Sequence, residues 1–536
     1  MDHAGDEEAA PNSKRAKLAV TGSEDHLSAL PDDVLIHILL KLRDTAFAAR
    51  TSILSRRWRR MWTLLPEIHF SDASDPRRIR PALAANEAPA ILHLAAVAQD
   101  ASPYSVAAWL QTVAPRLSGD LIFRNIIRSS STSEERGGFE LPCFQNATSI
   151  RLSLGFLGLT MPASGVFARL VELSLDHVWI YSPDRLADVI SSQRCPALQR
   201  LAIRDARCIG NVAIHSGSLQ QMELRNLKGF TKLTIHSESL LQMELSDLRN
   251  HQQLTVAAPS LEELTLSSCL LGGHGLSLLV SSISAPQLLV LKWKKNTWHP
   301  KYFELGEMVH LHCLDIDVFL QYGTDDFMDD TDFLMDDDIG FLMDDIIMYN
   351  TDTLMLLQRF KVIHKLNLRV DYLPCMRVNE YLMEDITRLP DITFLSIVIT
   401  AHAHSFGACL FHVLRMCTGV RKLALDTPGH FDEACPSDCP CGQPSNWKSE
   451  ELMLDCLQEA EISNLRGTKH ELAFMERLFS WATVLKQMTV TFDESITESR
   501  DIKEFCQKLL SFSRPEVCMG FFVYRHSKKI LYVPVD

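Results

Sequence analysis

Four copies of the pattern L-x-x-L-x-L, with Met or Ile admitted at the later apolar positions, begin at residues 198, 219, 240 and 261, each 21 residues after the last. They read LQRLAI, LQQMEL, LLQMEL and LEELTL. A chain that repeats at a fixed short period builds the same local unit again and again. A unit this short cannot bury an apolar face alone, so it must stack on its neighbours. Apolar and polar residues alternate within each copy, which predicts one short strand per unit with the leucine side turned inward. Each such leucine should contribute roughly 1.5–3 kcal/mol when fully buried. Looser copies begin at Leu170, Leu288, Leu311, Ile363, Ile392 and Val420. Leu233-Thr234-Ile235 and Leu254-Thr255-Val256 fall between the main strands and predict an extended outer segment in place of a full helix.

If the leucines point in, their flankers point out. These are Arg200 and Arg204, then Gln221, Glu223 and Arg225, then Gln242 and Glu244, then Glu263 and Thr265, then Lys292 and Lys294. Along the stack they form an acidic, amide-bearing middle flanked by basic positions. Such a strip complements a protein partner of alternating charge, so these are the candidate target-binding residues.

The period and pattern resemble a leucine-rich repeat solenoid, whose units run 20–29 residues. The position commonly Asn or Cys in that family is Cys269 in one unit but Leu227 and Leu248 in others, so a continuous Asn ladder is absent.

Ahead of the repeats, residues 26–70 read HLSALPDDVLIHILLKLRDTAFAARTSILSRRWRRMWTLLPEIHF. Leu30-Pro31-Asp32-Asp33 starts a helix with acidic residues in its first turn. Val34, Leu35, Ile38, Leu39 and Leu42 form one apolar face, and a second helical run carries Ala48, Ala49, Ser52 and Leu54. About 45 residues bury too little apolar area to be comfortable alone, so part of this face awaits a partner. Leu30-Pro31, Ile38-Leu39, Leu42 and Leu54-Ser55-Arg56-Arg57-Trp58-Arg59 followed by Trp62 resemble the F-box signature. The resemblance implies binding of a Skp-type adaptor, and through it a cullin. The adaptor-facing set it implies is Leu30, Pro31, Leu35, Ile38, Leu39, Ser55 and Trp58.

Near the other end, residues 435–492 open with Cys435, Cys439, Cys441, Pro444 and Asn446-Trp447, then give strand-like residues 457–462 and Gly467. His470-Glu471 opens a helix carrying Leu472, Met475, Leu478, Phe479 and Ala482, and residues 485–490 follow. This segment resembles the FBD domain of plant F-box/leucine-rich-repeat proteins, which implies a plant source but no activity. The cysteine spacing, with His430 nearby, is tighter than a zinc knuckle, so no metal is assigned. His470-Glu471 lacks the second His of a zincin.

Residues 321–347 interrupt the array with ten aspartates, and the expectation is a solvated acidic insertion without EF-hand spacing. The first 25 residues are poor in apolar side chains and read as a disordered tail, in which Lys14, Arg15 and Lys17 resemble a short nuclear localisation signal. Residues 71–146 form a proline-broken transition with one short helix over 105–117 (Val106, Trp109, Leu110, Val113) and a strand at Leu121-Ile122-Phe123.

A net charge of −14 argues against nucleic-acid binding. No run of 18 apolar residues occurs, so no membrane-spanning helix is expected. The 14 cysteines follow an acidic start that is no secretory signal, so free thiols in nucleus or cytoplasm are expected over a disulfide framework.

The expected fold is α/β: a small helical F-box over 26–70, then repeats over 147–430, capped by an α+β FBD region over 431–536. Nucleotide loops, triads and metal sets are all lacking, so neither catalytic residues nor cofactors are expected. The expected function is a substrate-recognition adaptor of a Skp–cullin–F-box ubiquitin ligase, holding an unknown target protein for ubiquitination and proteasomal degradation. The alternatives are a small-molecule-dependent receptor on the same scaffold and a ligase-independent interaction scaffold.

Overall fold

The structure, a computed structural model, describes residues 30–73, 76–127, 136–248, 253–269, 280–294, 303–319, 354–372, 388–401, 404–428, 441, 445–496, 500–525 and 527–534. Parallel strands dominate. Arg200–His215, Gln221–Arg225, Gln242–Ser246, Glu263–Ser267, Val290–Lys294 and Cys313–Phe319 lie side by side, each parallel to the next. Arg200 faces Gln221, which faces Gln242, which faces Glu263, so the 21-residue period of the sequence is the strand register itself. The ladder runs back through Glu172–Ile180, Ser149–Thr160, Leu117–Ile126 and Ile91–Gln99 to Glu67–Ala73. It runs forward through Val362–Asp371, Asp391–Thr400, Lys422–Asp426, Glu459–Leu465 and Gln487–Phe492 to Cys518–Arg525. The strand Lys528–Tyr532 closes it antiparallel. Cys313–Phe319 and Val362–Asp371 pair in unbroken register although residues 320–361 intervene.

Strand alternation sorts the side chains as expected. Leu201, Met222, Met243, Leu264 and Leu291 form one buried column, and Ile203, Leu224, Leu245, Leu266 and Trp293 form the next. The outer segments do more than extend. The far half of Arg200–His215 pairs with Lys228–His236, which pairs with Gln253–Ala257, then Val280–Ser284 and Phe303–Leu305. Ile214, Ile235, Val256 and Ile283 from this second parallel ladder are buried. Elsewhere helices take the outer positions, among them Pro183–Ile190, Gly407–Met416, Lys469–Trp481 and Arg500–Phe512.

Between the two ladders the chain turns a corner at residues with left-handed backbone: Asp205, Asn226, Asp247 and Ser268, with φ of 50°, 50°, 53° and 52°. These short polar side chains tolerate that conformation better than branched or bulky ones. At the last three of these corners the backbone N–H donates to the adjacent unit, from Asn226 to the Ser246 carbonyl at 2.8 Å, from Asp247 to the Ser267 carbonyl at 2.8 Å and from Ser268 to the Lys294 carbonyl at 3.0 Å. Asn226 Nδ2 also donates to Asp205 Oδ1 at 2.6 Å.

The first helices form a unit with its own core of Leu35, Leu39, Ala48, Trp58, Met61 and Leu65. They are α1 (Asp32–Leu40), α2 (Thr45–Arg50) and α3 (Trp58–Met61). Asp44 caps α2, accepting from Ala46 N at 2.7 Å and Phe47 N at 3.2 Å. The unit is tied to the first strands: His69 N donates to Thr45 Oγ1 at 2.8 Å, and Asn86 Nδ2 to the Leu65 carbonyl at 3.0 Å. The short helix expected over 105–117 is Pro103–Val113, with Val106, Trp109, Leu110 and Val113 buried.

Toward the C-terminus, His470-Glu471 sits in the first turn of Lys469–Trp481, as expected. Glu471 belongs to a capping box with Thr468, and its carboxylate also accepts from Arg466 N at 3.2 Å. Phe474, Met475, Leu478, Phe479 and Trp481 are buried on this helix, while Leu472 is only partly so. Cys441 is buried, and its sulfur accepts from Ser405 N at 3.3 Å. Cys435, Cys439 and His430 fall outside the described residues, as do the acidic segment 321–347 and Lys14, Arg15 and Lys17.

Candidate functional site

Two surfaces emerge, one on the helical unit and one on the ladder. In the helical unit the structure divides the motif residues by role. Leu35, Leu39 and Trp58 are 0%, 2% and 6% exposed, so they build the unit's interior and present almost no surface. Ser55 lies just ahead of α3, its Oγ accepting from Trp58 N at 3.5 Å. Pro31 is the N-cap of α1, and its carbonyl accepts from Val34 N at 3.1 Å. Leu30 is partly buried against the core, and its carbonyl accepts from Arg57 Nη2 at 2.5 Å. Arg57 Nε also donates to Asp32 Oδ1 at 2.8 Å. This one guanidinium therefore joins the start of the motif to its end, a role that spacing alone does not reveal. Within the signature, Leu39 and Trp58 serve the unit's own packing, whereas Ile38, Leu42 and Leu54 are exposed.

What the unit offers to solvent is a different apolar set. On α1 these are Val34 and Ile38, with Leu42 in the turn just after it; the following segment adds Phe47, Ile53 and Leu54, with Ile53 88% exposed. Only Ile38 belongs to the implied adaptor-facing set. Ile53 and Leu54 lie in a short 3-10 turn and its exit, because α2 ends at Arg50 and the expected second helical run stops short of Leu54.

On the ladder, the outward residues enclose an open groove of about 360 Å³. Its lining includes Arg200, Arg204, Gln221, Glu223, Gln242, Glu244, Glu263 and Lys292. Arg225 and Lys294 stand outside it, in the row nearer the corner that also holds Arg204. Strand register thus gathers most of the residues that alternation singled out.

The charges in this strip are largely committed to one another. Glu172 accepts from Arg151 Nε at 2.7 Å and from Arg200 Nη2 at 3.0 Å. Those two guanidiniums, the Arg151 hydrogen bond foremost, hold its carboxyl down at about 2. Glu223 is bound by Arg204, and this raises the guanidinium's pKa. Glu263 receives Lys292 Nζ at 2.5 Å, with the same effect on the lysine. Lys294 approaches Asp315 at 3.5 Å. Gln221 Nε2 donates to Gln242 Oε1 at 3.0 Å, and Gln242 Nε2 to Glu263 Oε2 at 3.4 Å. Sequence alone predicts the strip but not this internal pairing, which depends on which rotamers meet across strands.

At the corner, Asp176, His177 and Asp205 place one ligand atom each within 4.8 Å of one another. The approach of His177 Nε2 to Asp205 Oδ2 at 3.9 Å and the hydrogen bond from Asn226 account for that grouping. Among the described residues no helix is long and apolar enough to cross a membrane.

Comparison with known proteins agrees with this geometry. The F-box domain model matches residues 27–69. The model for the LRR repeats of FBD-associated F-box protein At5g56370 matches residues 106–227. F-box/FBD/LRR-repeat protein At2g04230 of Arabidopsis thaliana is 27% identical over 200 residues, 34% of this chain and 42% of that protein. F-box/FBD/LRR-repeat protein At3g14710 of the same plant is 40% identical over 62 residues, 12% of this chain and 14% of that protein. F-box/LRR-repeat protein 25, again from Arabidopsis thaliana, is 38% identical over 69 residues, 13% of this chain and 27% of that protein. The alignments span less than half the length of the curated relatives, 13% to 44% across those compared. The chain therefore carries an F-box match at its N-terminal end and a leucine-rich-repeat match after it, and over part of its length it is similar to plant F-box/FBD/LRR-repeat proteins.

Proposed function

We propose that this chain is the substrate-recognition subunit of a Skp–cullin–F-box ubiquitin ligase, a non-catalytic adaptor. In this reading the helical unit docks on a Skp-type adaptor, and the strand ladder, a leucine-rich-repeat solenoid closed by the FBD-like C-terminal region, holds the target protein. The observation that carries it is the exposure of Val34, Ile38, Leu42, Phe47, Ile53 and Leu54 on a unit whose own core is already complete. Large apolar side chains concentrated in so few residues mark a surface that is covered in the working assembly. Chemistry would follow from proximity, a target lysine being kept near a ubiquitin-charged enzyme supplied by other subunits.

The test is co-purification with a Skp-type adaptor. Ile53→Asp combined with Leu54→Asp should abolish binding while leaving the melting temperature unchanged, because neither side chain belongs to the core. Leu35→Ala should lower the stability of the unit by roughly 2–5 kcal/mol and weaken binding only through that loss. An intact chain that binds no such adaptor overturns the proposal. Nuclear entry directed by Lys14, Arg15 and Lys17 is proposed on sequence grounds alone; a fluorescent fusion excluded from the nucleus, or one that stays nuclear when the three become alanine, would refute it.

A further inference from the structure

The groove on the ladder deepens the target-holding reading and rests on it. Its carboxylates differ in how they are compensated. Glu172 has two guanidiniums, Glu223 has Arg204, and Glu263 has Lys292. Glu244 is exposed at the middle of the same lining and forms no ion pair among the described residues. Its Oε1 accepts a hydrogen bond from the Ser246 hydroxyl, 3.2 Å away. Register puts Glu244 directly between Glu223 and Thr265, so neither residue facing it is a cation, and Arg225, one row nearer the corner, forms no ion pair with it among the described residues.

We infer that Glu244 anchors a cationic side chain, lysine or arginine, of an extended target segment lying in this groove. The occupant is fixed by charge complementarity. An incoming carboxylate would meet Glu223, Glu244 and Glu263 in three successive strands, and the two flanking acids cannot turn their own cations toward it without breaking existing bonds. An incoming ammonium or guanidinium meets one free carboxylate already held on a rigid strand. The amides of Gln221 and Gln242 line the row beside it, where they suit the backbone of an extended peptide. An apolar small molecule is disfavoured, since it would leave these charges desolvated without partners.

The experiment uses the full chain and an immobilised array of degenerate peptides in which one position is fixed in turn. The wild type should enrich Lys or Arg over Met at one position by up to roughly fivefold, the upper end expected of a solvent-exposed ion pair. Glu244→Gln should erase that preference, and Glu244→Lys should reverse it toward Asp and Glu, with melting temperatures unchanged. If the wild type binds peptides without cationic preference, or Glu244→Gln keeps it, the inference fails while the target-holding reading stands. If no peptide binds the wild type better than it binds a chain carrying Gln221→Trp and Gln242→Trp, which would fill the groove, both fail.

Discussion

Arg204 and Glu223, on adjacent parallel strands, are joined through both arms of the guanidinium, Nε to one carboxylate oxygen and Nη2 to the other. The side chains are 35% and 27% exposed, so the pair is neither buried nor fully solvated. A two-armed pair of this kind is worth about 1 kcal/mol. Either Arg204→Met or Glu223→Gln alone should remove about that much stability, and the second change should add little to the first. A double-mutant cycle in urea checks it; strictly additive losses would show that the pair does not couple.

Glu172 gives the face a pH signature. Its carboxyl sits at about 2 in the folded chain, below the usual carboxylate range, because Arg151 and then Arg200 stabilise the charged form. Depression on folding means the stabilisation is complete above the unfolded value near 4.5 and is lost as the pH falls toward 2. Glu172→Gln should therefore lower stability by a constant amount above about pH 5 and by a shrinking amount below it. Urea midpoints compared between wild type and variant at several pH values test this, and a gap that widens on acidification would contradict it.

Gly119 lies where the strands Ile91–Gln99 and Leu117–Ile126 slip register. A Cβ there would stand 1.9 Å from the Leu92 carbonyl oxygen, a backbone atom that cannot swing aside. Gly119→Ala should cost roughly 3 kcal/mol or more, whereas Gly217→Ala, whose Cβ would meet only Ser192 Oγ at 3.6 Å, should cost little. Thermal unfolding of the two variants separates the cases; equal melting temperatures would mean that the strand pair shifts to make room.

Asn226 tests the corner. Valine at φ 50° is strained, and Asn226→Val should destabilise by roughly 1–3 kcal/mol. Asn226→Gly keeps the backbone conformation and loses only the bond to Asp205, so it should cost clearly less. Circular dichroism melts of both variants decide the order, and a valine no worse than glycine would show that the corner relaxes.

Much of this molecule is legible in its leucines. The hexads at 198, 219, 240 and 261 set the strand register, and alternation places Gln221 and Glu223 outside with Met222 and Leu224 inside. The corner escapes such a reading because its residues are polar and lie outside the hexads. Yet Asp205, Asn226, Asp247 and Ser268 recur in the same 21-residue step, and all four tolerate left-handed backbone, so the signal was present. The helical unit shows the converse. Its motif is plain in sequence, but which leucine turns inward depends on a hairpin packing that helical spacing alone does not determine: Leu35 and Leu39 are inside, while Val34 and Ile38 face out. Pairing among charges is harder still, since it is decided by side-chain rotamers across strands, and the lone standing of Glu244 has no trace in the linear chain.

The strands Cys313–Phe319 and Val362–Asp371 keep their pairing across the 320–361 interval because each rung is held by its neighbours in space. Closing a longer loop costs only about 0.6 kcal/mol for each doubling of its length. A gene encoding such a ladder can therefore gain or lose sequence between rungs in a single step, as duplicated or trimmed codons, while the outward face of the ladder stays in alignment. Length is cheap here and register is not, so inherited variation should accumulate between the rungs and spare their spacing.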